Sequence, residues 1–264
     1  MISDKAIVDK NSKIESSVEV GHFSIIGKDV KIGKNSKIFS HVVITGETLI
    51  SDECEIYSFA SIGSTPQDLK FKGEKTKLII GKKNRIREYV TINPGTEHGG
   101  GVTKIGDNCL FMISSHVAHD CKIGNNVIIA NNVAIAGHVE IDDNVIIGGN
   151  SAVQQFTRIG KLAMIGGMTG VEKDVIPYGL VTGNRSHLDG INIIGLKRAG
   201  YSSDEINALN QAIKLIFSNT LLKNGIQEAK QFSNFETVSE VISFLEKSEK
   251  RPICRSPRSS GSPW

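Results

Sequence analysis

Aliphatic residues recur at every sixth position from the start of the chain: Ile2, Val8, Ile14, Val20, Ile26, Ile32, Ile38, Ile44, Ile50, Ile56 and Ile62. The series resumes at Ile80, Ile86 and Ile92, and again from Ile105 through Phe111, Val117, Ile123, Ile129, Ile135, Ile141, Ile147, Val153, Ile159 and Ile165 to Val171. Four residues after many of these stands a small or β-branched residue, among them Ala6, Ser12, Val30, Val42, Cys54, Ala60, Cys109 and Cys121. A period of six is neither the helical repeat nor the simple alternation of a strand. It predicts a coil of three short flat strands per turn. Three hexads make a coil of eighteen residues, with coils stacked at roughly 4.8 Å like neighbouring strands. The aliphatic residue points inward, and Gly often follows it where the backbone must turn, as in Ile26-Gly27, Ile32-Gly33 and Ile123-Gly124. The expected fold is mainly β: a parallel β-helix of hexapeptide repeats, with a C-terminal α-helical domain. The pattern carries no information on the hand of the coil.

Two interruptions break the series, and loops on a regular solenoid are the usual carriers of function. In residues 63–79, Asp68 and Glu74 occupy slots where an aliphatic residue is due. Between Ile92 and Ile105 the gap is thirteen, not a multiple of six, and it holds Pro94, Gly95, Gly99, Gly100 and Gly101. Extruded loops are expected at 63–79 and 93–104. The hexad series ends near Val175, and the pattern turns helical. Ser202 and Glu205 form a capping-box signature ahead of Ile206, Leu209, Ile213, Ile216 and Phe217. A further helix is expected from Glu236 to Glu249. The resulting organisation is a β-helix over 1–185, a helical domain over 186–251 and a disordered Ser/Pro-rich tail over 252–264.

Composition narrows the function classes. Aromatic residues make up only 6% of the 264 residues while Gly numbers 27, which disfavours a helical bundle. The formal net charge of +3 is too small to indicate nucleic acid or an anionic membrane as the main partner. No apolar run has the length of a membrane span, and the N-terminus lacks a secretory core, so a cytoplasmic protein is expected. The cysteines Cys54, Cys109, Cys121 and Cys254 show no paired spacing. Three of them fall in the small-residue slots, so they read as core filler.

Because one coil is eighteen residues, positions eighteen apart stack on the same corner. His119 then lies one coil below Gly137, which lies one coil below Gln155, and Asp120 stacks under His138. Val117 is the inward residue, so His119 and Asp120 project at the corner rather than into the core. An imidazole is the natural general base at neutral pH, and an adjacent carboxylate fixes its tautomer. An outward N–H at Gly137 would stabilise an oxyanion. Together these suit acyl transfer without a nucleophilic side chain. Taken without context, a His beside an Asp on a turn is more often a surface pair than a catalyst. His116-x-x-His119 alone is a weak metal signature, with only His138 as a further ligand, so no metal and no cofactor are expected.

Gln67-Asp68-Leu69-Lys70, Asn84-Arg85-Ile86-Arg87-Glu88, His116-Val117-Ala118-His119-Asp120-Cys121, Ala136-Gly137-His138 and Asn192-Ile193-Ile194-Gly195-Leu196-Lys197-Arg198 together resemble the UDP-N-acetylglucosamine O-acyltransferases that open lipid A biosynthesis. The likeness runs collinearly over about residues 1–250. It implies a left-handed coil and homotrimers with sites in the clefts between neighbouring prisms. The implied reaction moves a 3-hydroxyacyl chain from acyl carrier protein to the 3-hydroxyl of UDP-N-acetylglucosamine. By the resemblance, His119 is the general base, Asp120 orients it and the Gly137 amide holds the oxyanion. Gln67, Asp68 and Lys70 reach substrate from the adjacent subunit, with His116 and His138 lining the cleft and Gln155 nearby. Asn192 and Arg198 match positions associated with the nucleotide or acyl chain, and Gly167 falls at the acyl-length ruler, left open for a long chain. Basic residues from Lys82 to Arg87, with Lys197 and Arg198, are candidate contacts for an acidic carrier protein. The chain departs from the family at Gln154, where relatives often carry His, at Ile194, where some carry Glu, and at Pro94, where an Arg precedes Gly95-Thr96. Rival readings are an N-acyltransferase of the same pathway, an acetyl-CoA-dependent sugar acetyltransferase and a non-catalytic β-helix scaffold.

Overall fold

The computed structural model describes residues 1–247 and 251–256. Among them, short strands form three sheets of nine, eight and ten strands, which are the faces of a three-sided prism. The first face begins at Ile7–Val8 and the second at Lys13–Ile14. The third begins at Glu19–Val20. Pairing between coils is parallel, with Ile26 beside Ile44 and Ile44 beside Ile62, eighteen residues apart as the hexads require. The coil is a left-handed β-helix. The inward aliphatic residues fill its bore: Ile44, Ile62, Ile86, Val117, Ile135 and Ile147 are all fully buried. Burying each such side chain contributes about 1.5–3 kcal/mol, and that repeated term drives the coiling.

The turns are made differently from the sequence expectation. The left-handed backbone position falls three residues after the inward aliphatic, where L-residues such as Asn126, Asn132, Asp120 and His138 hold φ near +60°. The Gly directly after the aliphatic serves close approach instead: a β-carbon at Gly124 would stand 2.7 Å from the Asp143 nitrogen of the next coil. Along the corner between second and third faces, side chains cap the main chain one coil below. Asp143 Oδ1 accepts from Asn125 N–H, and Asn125 Oδ1 accepts from Asp107 N–H.

Both extruded loops leave from one corner, the one between first and second faces. Ile62 pairs with Ile92, thirty residues on instead of eighteen, so the first loop inserts twelve residues without disturbing the register. Ile80 pairs with Ile105, twenty-five residues on, so the second inserts seven.

At its C-terminal end the third face is closed by a hairpin that the hexad pattern did not foretell, Gly179–Thr182 antiparallel to His187–Ile191. Four helices follow among the described residues: α1 (Ile193–Arg198), α2 (Ser203–Ser218), α3 (Leu222–Ala229) and α4 (Glu236–Glu246). Ser202 caps α2 by accepting from the Glu205 N–H at 3.2 Å, as its sequence indicates. Helix α3 escaped notice because Gly225 interrupts it. That glycine is required, since a β-carbon there would lie 2.4 Å from the Ile216 carbonyl oxygen of α2. Tyr178 and Lys161 of the prism both donate to Glu240 of α4, tying the helices to the coil.

The expected disordered tail is corrected in part. Residues 252–256 lie along the prism, where Ile253 bridges Asp174 and Cys254 donates its N–H to the Asp174 carbonyl at 2.8 Å. Asp174 is buried and receives Arg158 Nε at 2.8 Å, with Arg251 Nε 3.4 Å away. Residues 257–264 lie outside the described residues. Cys54, Cys109 and Cys121 fill the core as expected, and burial pushes their thiols up to about 11, 11 and 12.

Candidate active site

His119 follows the strand His116–Val117 and sits at the corner from which both loops emerge. It is only 9% exposed. The sequence placed this pair on an open turn, but the structure buries it, because the second loop folds back over the corner. Asp120 has a fully buried side chain whose Oδ2 accepts from His119 Nδ1 at 2.8 Å. Since a carboxylate only accepts, Nδ1 carries the proton and Nε2 keeps its lone pair. Asp120 also accepts from the Thr96 N–H at 2.8 Å and the Thr96 hydroxyl at 2.6 Å, both from the second loop. Its own N–H donates to Thr103 Oγ1 at 2.7 Å. Left-handed backbone at Asp120 is not by itself a mark of function, because His138 and Phe156 hold the same conformation at this corner in the next two coils.

One coil up, Gly137 is buried against the imidazole, and a β-carbon there would stand 2.6 Å from Cε1 and 2.8 Å from Nε2 of His119. Any side chain at 137 must displace the ring. Its N–H makes no hydrogen bond among the described residues. His138 packs edge-on against His119, with ring centroids 5.0 Å apart, and its Nε2 lies 3.9 Å from Asp120 Oδ2. Burial lowers the His138 pKa and the His119 ring adds to that, while Asp120 and Asp68 pull the other way. His116 Nδ1 meets Thr91 Oγ1 at 2.7 Å, and burial lowers its pKa, with His119 assisting. Phe156, which the sequence reading missed, stacks on His138 at 4.4 Å and leaves about half its surface exposed. Gln155 stands beside it, exposed, as does Gln154.

Within one chain Asp68 contributes the smallest of these pulls on the His138 pKa, in the upward direction. Both loop and base spring from the same edge, two strands apart in the first face. Asp68 Oδ1 accepts from the Lys70 N–H at 2.9 Å, which shapes the loop, and Gln67 and Lys70 are exposed.

The remaining residues are not brought together in one chain. Asn192 lies at the corner between second and third faces. Its Nδ2 donates to the Leu162 carbonyl at 3.0 Å, while its Oδ1 caps α1 by accepting from Gly195 N–H at 2.9 Å. With exposed Arg198 and Ile194 it lines an apolar groove of about 910 Å³ along the third face. Gly167 is exposed at the third corner, between third and first faces, facing only the Gly149 backbone. Pro94 is buried at the root of the second loop.

The stretch from Lys82 to Arg87 is corrected as a basic patch. Lys82, Lys83 and Arg85 face Asp52, Glu53 and Glu55 of the coil below, each at 3.8 Å, and Arg87 pairs with Glu88 at 2.9 Å. The stripe is charge-balanced. Lys197 and Arg198 make no ion pair among the described residues.

His119, Asp120 and His138 place one ligand atom each within 4.8 Å of one another. The hydrogen bonds on both Asp120 oxygens already occupy that carboxylate.

Hexad coils with a buried corner imidazole, its carboxylate brace and a main-chain donor alongside place the chain among the hexapeptide-repeat acyltransferases. The family model for bacterial transferase hexapeptides matches residues 11–46 and 103–137, and that for domain 2 of UDP-N-acetylglucosamine O-acyltransferase matches 174–254. The acyl-[acyl-carrier-protein]–UDP-N-acetylglucosamine O-acyltransferase of Rickettsia canadensis is 52% identical over 96% of this chain and 97% of its own length. That of Caulobacter vibrioides is 49% identical over 86% and 87%. The crystal structure of UDP-N-acetylglucosamine O-acyltransferase from Moraxella catarrhalis superposes with a TM-score of 0.92 at 41% identity, covering 96% of this chain and 99% of that one. The Francisella novicida UDP-N-acetylglucosamine acyltransferase gives 0.94 at 37%, over 98% and 96%. The chain belongs to the acyl-[acyl-carrier-protein]–UDP-N-acetylglucosamine O-acyltransferase family, and is an enzyme.

Proposed function

We propose that the protein transfers a 3-hydroxyacyl chain from acyl carrier protein to the 3-hydroxyl of UDP-N-acetylglucosamine, the first step of lipid A biosynthesis. The observation that carries the mechanism is the Asp120–His119–Gly137 arrangement. With Nδ1–H donated to Asp120 at 2.8 Å, Nε2 is the basic nitrogen. It takes the proton of the sugar 3-hydroxyl as that oxygen attacks the thioester carbonyl. The oxyanion of the tetrahedral intermediate accepts from the Gly137 N–H. Collapse breaks the carbon–sulfur bond, and His119 returns the proton to the departing thiol. No acyl-enzyme forms. His138 and His116, whose pKa values burial lowers, line the acceptor subsite with Gln155, and Gln67, Asp68 and Lys70 approach it from the first loop.

Asn192, Arg198 and Gly167 stand on other edges of the same prism, so they join His119 only across a cleft between copies. That supports a homotrimer, which we place in the cytoplasm as an expectation from the sequence. Arg198 suits a diphosphate by its forked guanidinium. Gly167 leaves room for a long acyl chain. The β-helix of 1–185 carries the chemistry. The helical domain of 186–251 presents Lys197 and Arg198 to the acidic carrier protein.

The test is purified protein offered hydroxyacyl carrier protein and UDP-N-acetylglucosamine, with the product identified by mass. An ester-linked acyl sugar is expected. Turnover with acetyl-CoA alone, or only with an acceptor bearing a free amine, would overturn the reading. A purely structural β-helix predicts no product from either pair.

A further inference from the structure

We propose that Thr96 is a positioning residue for this reaction, acting through Asp120 on His119; the inference rests on the general-base reading above. Asp120 has a fully buried side chain, and a carboxylate in that position aligns an imidazole only if its own orientation is fixed. The coil that bears it does not fix it. Apart from His119, the Asp120 carboxylate accepts from Thr96 alone among the described hydrogen bonds: the main-chain N–H on Oδ1 at 2.8 Å and the hydroxyl on Oδ2 at 2.6 Å. The two donors hold one oxygen each, so the carboxylate plane is set and Oδ2 is presented to Nδ1. Oδ2 thus receives both the Thr96 hydroxyl and the imidazole.

The rest of the second loop is shaped around the same contact. Gly99 N–H and Gly101 N–H both donate to the Thr96 carbonyl, at 3.0 and 2.8 Å, closing the loop on itself. A β-carbon at Gly99 would stand 2.0–2.4 Å from the carboxylate atoms of Asp120, so the loop lies directly over it. Thr103, where the loop rejoins the second face, accepts the Asp120 N–H at 2.7 Å. The out-of-register insertion is thereby a strap that carries the alignment of the base, and Thr96 is its working end.

The experiment compares Thr96→Val, Thr96→Ser and Asp120→Ala, singly and with Thr96→Val combined with Asp120→Ala. Folding is checked by circular dichroism, and Thr96→Ala replaces Thr96→Val should the latter not fold. Thr96→Val is expected to lower kcat about tenfold, as the loss of one hydrogen bond to a charged group does, with KM for both substrates within twofold. Thr96→Ser is expected to restore most of the rate. In the Asp120→Ala background the Val substitution is expected to cost nothing further, because its effect passes through the missing carboxylate. An equal loss in both backgrounds, or a Ser variant as slow as Val, would overturn the role of Thr96. Full activity of Asp120→Ala would instead overturn the catalytic reading beneath it.

Discussion

Gly137 lies so close above His119 that a β-carbon would come within 2.8 Å of Nε2, the atom proposed to take the substrate proton. Backbone donor and base are thus in contact, and the glycine is required by space rather than by backbone angle. Gly137→Ala is expected to push the ring aside and lower kcat about a hundredfold, while thermal unfolding shifts by a few degrees at most. Steady-state kinetics beside a melting curve check both halves. An active alanine variant would mean that the ring has room that the fold denies it.

Removing the base itself separates chemistry from scaffold. His119→Ala is expected to lower kcat by about a thousandfold, within the range of general-base contributions, with circular dichroism and subunit stoichiometry unchanged. Retention of activity within a factor of a few would return His119 to the status of a structural histidine.

Stability should fall in acid through His116 and His138. Burial holds both below the usual 6.5, so the unfolded chain binds more protons than the folded one as pH drops. Their contribution is complete above pH 6.5 and is lost as pH falls from there through the lowered folded values. His116→Gln is expected to flatten part of that slope in melting temperature measured between pH 7.5 and 5.5, and an unchanged slope would assign the loss to other groups.

A chain ending at Arg251 is expected to be less stable by about 3 kcal/mol, from exposure of the sites that Ile253 and Cys254 fill. Denaturant unfolding of the truncated and full chains measures the difference. Equal midpoints would show that the packing of residues 252–256 along the prism adds nothing.

If the carrier protein docks on the helical domain, Lys197→Glu combined with Arg198→Glu is expected to raise KM for the carrier thioester about tenfold at low salt, with the gap narrowing as ionic strength rises. An unchanged KM places the docking surface elsewhere.

The prism was legible because one residue type marks one direction: wherever Ile occupies a hexad slot, it points to the bore. The stacking of His119 under Gly137 followed from that register alone. What stayed hidden depends on contacts out of register. Nothing in Pro94-Gly95-Thr96 says that the loop returns over Asp120, so the pair read as an open corner. Helix α3 was obscured by Gly225, whose reason lies in the carbonyl of Ile216. The single bridge at Ile253 involves too few residues to announce itself. Lys82, Lys83 and Arg85 looked unpaired because their partners lie thirty residues earlier, beyond the ordinary coil length.

The eighteen-residue register makes every corner position an address, and that has an engineering consequence. Rewriting Gly137-His138 as His-Asp, with His119 cut back to Gly to clear the space that a β-carbon at 137 needs, would raise the imidazole by one strand spacing, about 4.8 Å, and position 138 already adopts the same left-handed turn as Asp120. The transplanted carboxylate would find no strap there, because the insertion that carries Thr96 is anchored one storey below. The height of the reactive centre along the prism is therefore set by where the loop was spliced in, and relocating the chemistry means moving the splice.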